Sequence, residues 1–308
     1  MIILQFLLLA VGFVMLIKGA DWFVDGAAGI AGKFGIPQLV IGLTIVAMGT
    51  SAPEAAVSIT AALDNSAGIT IGNVLGSNIL NILIILGISS VIIFLPVQKS
   101  TIGYEIPFMI IISVVLLVMG ITGNTVSRPE GVILWVLFII YLLYLYKLAQ
   151  KGNEEDNPGE QKSLPVYILT AIFGAVVIVL GSKFTVKGAT EIARMAGITE
   201  RVIGLTIVAF GTSLPELVTS IIASKKGNTD IAIGNIVGSN IFNILFVVGT
   251  SALITPVPFE SKFIFDAIFA SFAGVVMLLA VLKNKKLTRT GGIVMLVCYA
   301  VYFVYLMR

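Results

Sequence analysis

The chain has 308 residues, of which 58% are hydrophobic and 11% are charged, and its mean hydropathy is +1.08. A soluble domain carries about 25% charged residues, so this composition places the chain in a lipid bilayer. The net charge of +3 gives no reason to expect nucleic acid as a partner. With one cysteine (Cys298) and no histidine, the chain cannot form an internal disulfide or a metal site built on thiolate clusters or imidazole.

Ten apolar segments are long enough to cross a bilayer, which takes about 20 residues per helix. The first segment lacks the positive region and cleavage site of a signal peptide, so we expect it to be retained. The sequence therefore predicts an all-α polytopic membrane protein with ten transmembrane helices. The predicted spans are residues 2–30, 38–63, 69–94, 103–122, 129–149, 165–195, 200–224, 231–254, 261–282 and 290–307.

The predicted spans divide into two sets of five. Residues 1–150 form the first five-helix unit, residues 151–164 a hydrophilic cytoplasmic linker, and residues 165–308 the second unit. Because five is odd, the second unit enters the membrane from the opposite side, which predicts inverted repeats. With the N-terminus outside, the inner loops carry eleven Lys and Arg residues and the outer ends carry five. This bias favours two extracellular termini.

A polar motif occurs twice, at a constant offset of 162 residues. Its first part, VIGLTIVAMGTSAPE at 40–54, agrees with 202–216 at thirteen of fifteen positions. Its second part, at 71–83, agrees with 233–245 at ten of thirteen. The two copies, 40–83 and 202–245, each place a carboxylate in an apolar helix. Because burying such groups is costly, their occurrence in both halves indicates a shared ion or substrate site.

Ala47 and four polar residues of the second span share one helical face, at positions i, i+3, i+4, i+7 and i+11. The polar side chains of this face and of its counterparts offer hard oxygen, which suits Na⁺, Ca²⁺ or Mg²⁺ and suits soft metals poorly. The two carboxylates carry −2, which one Ca²⁺, two Na⁺ or two protons would neutralise. The second and seventh spans contribute Ala47, Thr50, Ser51, Glu54 and Ser58, and Ala209, Thr212, Ser213, Glu216 and Ser220; the third and eighth contribute Ser77 and Asn81, and Ser239 and Asn243.

Two prolines, Pro53 and Pro215, lie inside the second and seventh spans. Each lacks an N–H and clashes with the carbonyl four residues back, at Gly49 or Gly211. We expect both helices to break here and to turn main-chain oxygens towards the ion, because free carbonyls at membrane depth must line protein or a wet cavity.

Four further asparagines are also duplicated: Asn73 and Asn78 in the first half, Asn235 and Asn240 in the second. They are expected either to hydrogen-bond between helices or to support the ligands.

Several other charges are expected to lie outside the site. Asp21 and Asp25 should lie at the inner end of the first span, in an interfacial role. Lys183 and Lys187 replace them in the second half, so they do not belong to a symmetric site. Glu105 is expected to be a helix-end charge.

The sequences GTSAPE and GTSLPE, each followed by GSNxxN, resemble the paired alpha-repeats of the cation/calcium exchanger superfamily, especially its compact prokaryotic sodium/calcium exchangers. The resemblance covers nearly all ten spans. It implies ten helices in inverted repeats, four central cation sites, and alternating access in which the first and sixth helices slide across the other eight. The ligands that it implies are Ala47 (carbonyl), Thr50, Ser51, Glu54, Ser77 and Asn81, with Ala209 (carbonyl), Thr212, Ser213, Glu216, Ser239 and Asn243.

The leading hypothesis is a secondary-active antiporter that exchanges Na⁺ for Ca²⁺ and lies in the lipid bilayer. We expect no cofactor and no obligate protein partner. H⁺-coupled Ca²⁺ antiport stays open, because Glu54 and Glu216 can carry protons. A passive cation channel is a third alternative, although a signature duplicated within one chain favours alternating access. A membrane enzyme such as a protease ranks last, because the serines lack a base partner.

Overall fold

The computed structural model describes residues 2–150, 162–197 and 209–306. Within them, eight helices are long and apolar enough to cross a membrane, and two further helices that meet at a bend of 51° count as a ninth crossing if they form one span. The predicted linker 151–164 lies mostly, and the predicted seventh span 200–224 partly, outside the described residues. The all-helical polytopic architecture is therefore confirmed, and the count of ten helices stays a prediction.

The described helices agree closely with the predicted spans. In chain order they are α1 (Ile2–Phe34), α2 (Gln38–Thr50), α3 (Ala52–Leu63), α4 (Gly68–Ile92), α5 (Thr101–Gly123), α6 (Arg128–Ala149), α7 (Leu164–Met195), α8 (Ala209–Thr212), α9 (Leu214–Lys225), α10 (Thr229–Ile254), α11 (Lys262–Leu282) and α12 (Arg289–Leu306).

Four two-residue strands, which were not predicted, connect the two halves. They are β1 (Leu95–Pro96), β2 (Thr125–Val126), β3 (Val257–Pro258) and β4 (Lys286–Leu287). β1 pairs antiparallel with β4, and β2 pairs antiparallel with β3. Each pair therefore joins a loop of one half to a loop of the other.

Capping residues and prolines set where helices begin. Ser127 precedes α6, and its backbone N–H and its hydroxyl both donate to Glu130 Oε2, at 2.7 and 2.6 Å. This capping arrangement satisfies donors that the first helical turn leaves free. Pro129 and Pro165 lie in the first turns of α6 and α7, where a missing N–H costs nothing.

The centre of the molecule is formed by α4 and α10. The most apolar 18-residue windows of these two helices are 72% and 94% buried, against 39% or less for the other long helices. Large apolar side chains such as Leu7, Ile111 and Val301 are exposed on the outer helices, as lipid contact requires. The polar residues of α4 and α10 therefore lie in protein and not against lipid.

The helices α1 and α7 pack against each other along a line of glycines at the periphery. A Cβ atom on Gly19 would lie 2.8 Å from Ile178 N and 3.0 Å from Gly174 O, so only glycine permits this approach. Each helix contributes three glycines at intervals of seven residues. We call this contact the glycine seam; its members are Gly12, Gly19 and Gly26 on α1 and Gly174, Gly181 and Gly188 on α7.

Candidate cation-binding site

The two motif carboxylates each follow a break in a membrane helix. Ser51 (φ −82°, ψ 7°) separates α2 from α3, and Ser213 (φ −88°, ψ 4°) separates α8 from α9. A proline is the second residue of α3 and of α9, where it starts a helix without loss of a hydrogen bond. The predicted breaks are thus confirmed. Glu54 and Glu216 lie in the first turns of the new helices, where free N–H groups and the helix dipole favour negative charge.

Both carboxylates are fully buried, and serines of the opposite half contact them. Ser51 Oγ donates to Glu216 Oε1 at 2.8 Å, and Ser213 Oγ lies 3.5 Å from Glu54 Oε1. Ser77 Oγ on α4 also lies 3.5 Å from Glu54 Oε1. In the described part of the chain neither carboxylate forms a salt bridge. Their charge therefore has to be balanced by something other than lysine or arginine.

Four asparagines of α4 and α10 form a reciprocal network across the two halves. The Nδ2 groups of Asn78 and Asn240 each donate to the other residue's main-chain oxygen, both at 3.2 Å. Asn81 Nδ2 donates to Asn240 Oδ1 at 3.0 Å, and Asn243 Nδ2 donates to Asn78 Oδ1 at 3.1 Å. Flipping the amide of Asn81 or Asn243 would set oxygen against oxygen, so the network fixes where their side-chain oxygens lie.

Four buried oxygens at symmetric positions lack a hydrogen-bond partner among the described residues: Glu54 Oε2, Glu216 Oε2, Asn81 Oδ1 and Asn243 Oδ1. A buried polar atom left unpaired costs about 1–3 kcal/mol. Protonation can satisfy a carboxylate oxygen but not an amide oxygen. Hard cations bind both kinds of oxygen, and Ca²⁺ takes about 6–8 oxygen ligands. The described residues contain no cluster of three acidic, cysteine or histidine side chains, so the other ligands would be neutral oxygens.

The remaining residues of the first motif lie against α10. Thr50 Oγ1 lies 2.9 Å from Asn235 Oδ1 and is buried. Ser239 Oγ donates to the main-chain oxygen of Ala47 at 3.3 Å. The structure thus brings Ala47, Thr50 and Ser239 to the same polar centre as the carboxylates.

The duplicated Asn73 and Asn235 both join helices and hold the carboxylate-bearing segments. Asn73 Nδ2 donates to Ser58 Oγ at 2.9 Å and to the main-chain oxygen of Glu54 at 3.2 Å. Asn235 Nδ2 donates to Ser220 Oγ at 2.9 Å. The two alternatives offered by the sequence are therefore not exclusive.

A cavity of about 990 Å³ separates α3 from α7 and reaches the second motif. Thr212 lies on its wall, and Asp64 and Ser66 line it at the exposed end of α3. Thr212 is only half-buried, whereas its counterpart Thr50 is buried. The cavity therefore meets the second motif at Gly211 and Thr212. Ala209 begins α8, and a role for its carbonyl stays a prediction.

The main-chain oxygen of Gly211, four residues before Pro215, accepts a hydrogen bond from a neighbouring helix. Ser182 Oγ on α7 donates to Gly211 O at 2.7 Å. A carbonyl oxygen has a second lone pair, so the expectation that freed carbonyls turn towards the ion stays a prediction. A hydroxyl from a neighbouring helix is a common way to satisfy such a group.

Glu105 is not the helix-end charge that was expected. It lies one turn inside α5, is 1% exposed, and accepts a hydrogen bond from the Tyr144 hydroxyl of α6. Packing of α5 against α6 buries it near the start of the helix.

The sequence matches the family model described as sodium/calcium exchanger protein over residues 4–147 and 166–308. It is 39% identical to the inner membrane protein YrbG of Escherichia coli (strain K12) over 259 residues, or 81% of this chain and 79% of that protein. It is 32% identical to the sodium/calcium exchanger MaX1 of Methanosarcina acetivorans, with 99% of both chains covered. The family and MaX1 are exchangers, which are transporters and not enzymes.

A solved structure shares the whole fold. The sodium-calcium exchanger NCX_Mj, soaked with 10 mM Na⁺ and zero Ca²⁺, superposes with a TM-score of 0.87 at 34% identity, and the match covers 99% of each chain. The polar centre described above therefore lies within a fold that an ion exchanger is known to use.

Proposed function

Because the chain belongs to the sodium/calcium exchanger family, we propose that it exchanges Na⁺ for Ca²⁺ across the cell membrane by alternating access at the site around Glu54 and Glu216. Cation/Ca²⁺ antiport is the activity of the family; Na⁺ as the coupling ion and the ligands below are the proposal.

The four unpartnered oxygens carry this proposal. Two carboxylate and two amide oxygens are buried at matching positions of the two halves, and a hard cation satisfies them where hydrogen bonds do not. The proposed ligands are Ala47 (carbonyl), Thr50, Ser51, Glu54, Ser77, Asn81, Ala209 (carbonyl), Thr212, Ser213, Glu216, Ser239 and Asn243.

Charge balance explains why the ions exchange. Two ionised, buried carboxylates without a cation are costly in a low-dielectric site. One Ca²⁺ or two Na⁺ cancel the charge, so both ions compete for the same oxygens. The site closes favourably only when it is loaded, and this couples the movement of one ion to the return of the other.

Proton coupling is the second candidate. Glu54 Oε2 and Glu216 Oε2 have no hydrogen-bond partner among the described residues, so each can bind a proton. A bound proton neutralises its carboxylate, as a cation would. The amide oxygens of Asn81 and Asn243 cannot take protons, which is why Na⁺ is the first choice.

Alternation follows from the arrangement of the two halves. The reciprocal asparagine bonds and the crosswise strand pairs support ten helices in two inverted repeats of five. In this arrangement α1 and α7 move together across the other helices, since the glycine seam joins them and they are mostly exposed to lipid. With both termini extracellular, the cavity beside Asp64 opens to the outside.

The test is ⁴⁵Ca²⁺ uptake into proteoliposomes loaded with Na⁺ or K⁺, at clamped potential and with and without a pH gradient. We expect uptake to need internal Na⁺ and to be lost in Glu54→Gln, in Glu216→Gln and in the double variant. Glu105→Gln, at a buried carboxylate outside the site, is the matched control and should retain uptake. Uptake that ignores Na⁺ and follows the pH gradient would establish proton coupling instead, and uptake without either gradient would indicate a channel.

A further inference from the structure

Three charged residues form ion pairs between α1 and the end of α9. Lys226, next to the end of α9, lies 2.6 Å from Asp21 Oδ1 and 2.6 Å from Asp25 Oδ1, both on α1. Partial burial lowers the pKa of Lys226, but hydrogen bonds to Asp21 and Asp25 and their charges raise it, and the net direction is upward. The lysine therefore stays charged and ties α9 to α1.

The offset of 162 residues leads from these three residues to three others of opposite charge. Lys226 corresponds to Asp64, Asp21 to Lys183, and Asp25 to Lys187. All three counterparts are exposed and line the cavity between α3 and α7. Among the residues that the structure describes, they form no ion pair with one another. One set is paired, and the other lines the cavity without pairing among its own members.

We propose that the two sets are latches that close in alternation during exchange. In the state seen here, Lys226 holds α1 against α9. In the opposite state, Lys183 and Lys187 pair with Asp64 and hold α7 against α3, while Asp21 and Asp25 separate from Lys226. The proposal rests on the alternating access of the proposed function, and it adds six residues that are not cation ligands.

The placement of the charges suits a part that moves. Two acids lie on α1 and two lysines on α7, which the glycine seam joins, so the moving pair carries these four charges with a sum of zero. Their movement across a membrane potential is therefore nearly neutral. Exposed ion pairs are also weak, so each latch biases the two states about two- to five-fold without trapping either one.

The experiment measures which state is populated, without ion gradients. A thiol is placed on the cavity wall as Ala56→Cys in a Cys298→Ser background, and its rate of maleimide labelling is followed in nanodiscs in K⁺ buffer. We expect Lys226→Gln to slow labelling about two- to five-fold, because it weakens the latch that keeps the cavity open. Adding Asp64→Asn should then restore the rate, because it weakens the opposing latch. Lys225→Gln, at the exposed neighbour, should change nothing.

Two results would overturn the latches: unchanged labelling in Lys226→Gln, or no recovery when Asp64→Asn is added. A triple variant exchanges the charges of the second latch: Asp64→Lys, Lys183→Asp, Lys187→Asp. It keeps opposite charges facing each other, so we expect it to label at the rate of the unchanged protein. If Asp64 affected the thiol only locally, the labelling rate would change in this variant. Because the assay uses no Na⁺, Ca²⁺ or H⁺ gradient, failure of Na⁺ coupling in the uptake experiment would leave its result standing, and the reverse also holds.

Discussion

At the scale of single residues, Asn78 and Asn240 control two site oxygens although neither is a proposed ligand. Each accepts the Nδ2 hydrogen bond of an asparagine from the other half, and this leaves the oxygens of Asn81 and Asn243 free for a cation. Among the described contacts, the hydrogen bond to Asn240 determines whether the Asn81 amide presents its oxygen or its nitrogen to the ion. The site therefore depends on residues one helical turn away from it.

This dependence predicts the behaviour of Asn240→Leu, which keeps the size of the side chain and removes its polar atoms. Asn81 then loses the acceptor for its Nδ2, and its amide presents nitrogen to the cation in part of the molecules. We expect Ca²⁺ affinity to fall about five- to ten-fold, the loss of about one hydrogen bond. Calorimetric titration of purified protein with Ca²⁺ measures the affinity. Asn78→Leu should lower the affinity by a similar factor, because it removes the acceptor of Asn243 Nδ2. Unchanged affinity in both variants would contradict the positioning role.

The residues of the site differ in how far the sequence could predict them. The burial of Glu54 and Glu216 at one polar centre was predictable, because a carboxylate repeated at a fixed offset within apolar helices favours a shared site. The satisfaction of Gly211 O by Ser182 was not, because it depends on the contact of two helices that no sequence pattern connects. The burial of Glu105 was not predictable for the same reason, since its partner Tyr144 lies on the next helix.

At the scale of whole elements, the proposed movement of α1 and α7 as one body rests on their close packing along the glycine seam. The ring centroids of Trp22 on α1 and Phe173 on α7 lie 5.3 Å apart, so a short thiol cross-linker can bridge Trp22→Cys and Phe173→Cys in a Cys298→Ser background. We expect Ca²⁺ uptake to survive this cross-link. Bridging the cavity between α3 and α7, through Ala56→Cys and Val186→Cys, should abolish it.

The outcome that would reject joint movement is loss of uptake on cross-linking α1 to α7, with recovery after reduction of the cross-link. Uncross-linked double variants serve as controls for the substitutions themselves. Retained uptake in both cross-linked proteins would show instead that the cavity between α3 and α7 does not have to close.

The elements also show where sequence patterns are informative. The breaks before Glu54 and Glu216 were predictable from proline, since its geometry excludes a continuous helix. The glycine seam has a sequence pattern of its own, namely glycines every seven residues in both halves at the same offset. The strands β1 to β4 had no usable signal, because two residues cannot show an alternating pattern.

At the scale of the whole molecule, equivalent sequences occupy unlike environments. The Ser51–Glu216 hydrogen bond is 2.8 Å long, and its counterpart from Ser213 to Glu54 is 3.5 Å. A repeated sequence predicts that two such environments exist, but not which half holds which one in a given state. Under the proposed alternating access, the two halves exchange these environments between states, and the structure shows one of the two.

The orientation of the chain and the count of ten helices can be tested together. Ser66 follows α3, Asn284 follows α11, and seven predicted spans separate them. An odd number of crossings places the two residues on opposite sides, and the excess of Lys and Arg in the loops places Asn284 inside. We expect an impermeant maleimide to label Ser66→Cys in intact cells, and Asn284→Cys only after permeabilisation, in a Cys298→Ser background. Labelling of both from outside would mean that the predicted span 200–224 does not cross. Reversed labelling would mean that the cavity beside Asp64 opens to the cytoplasm.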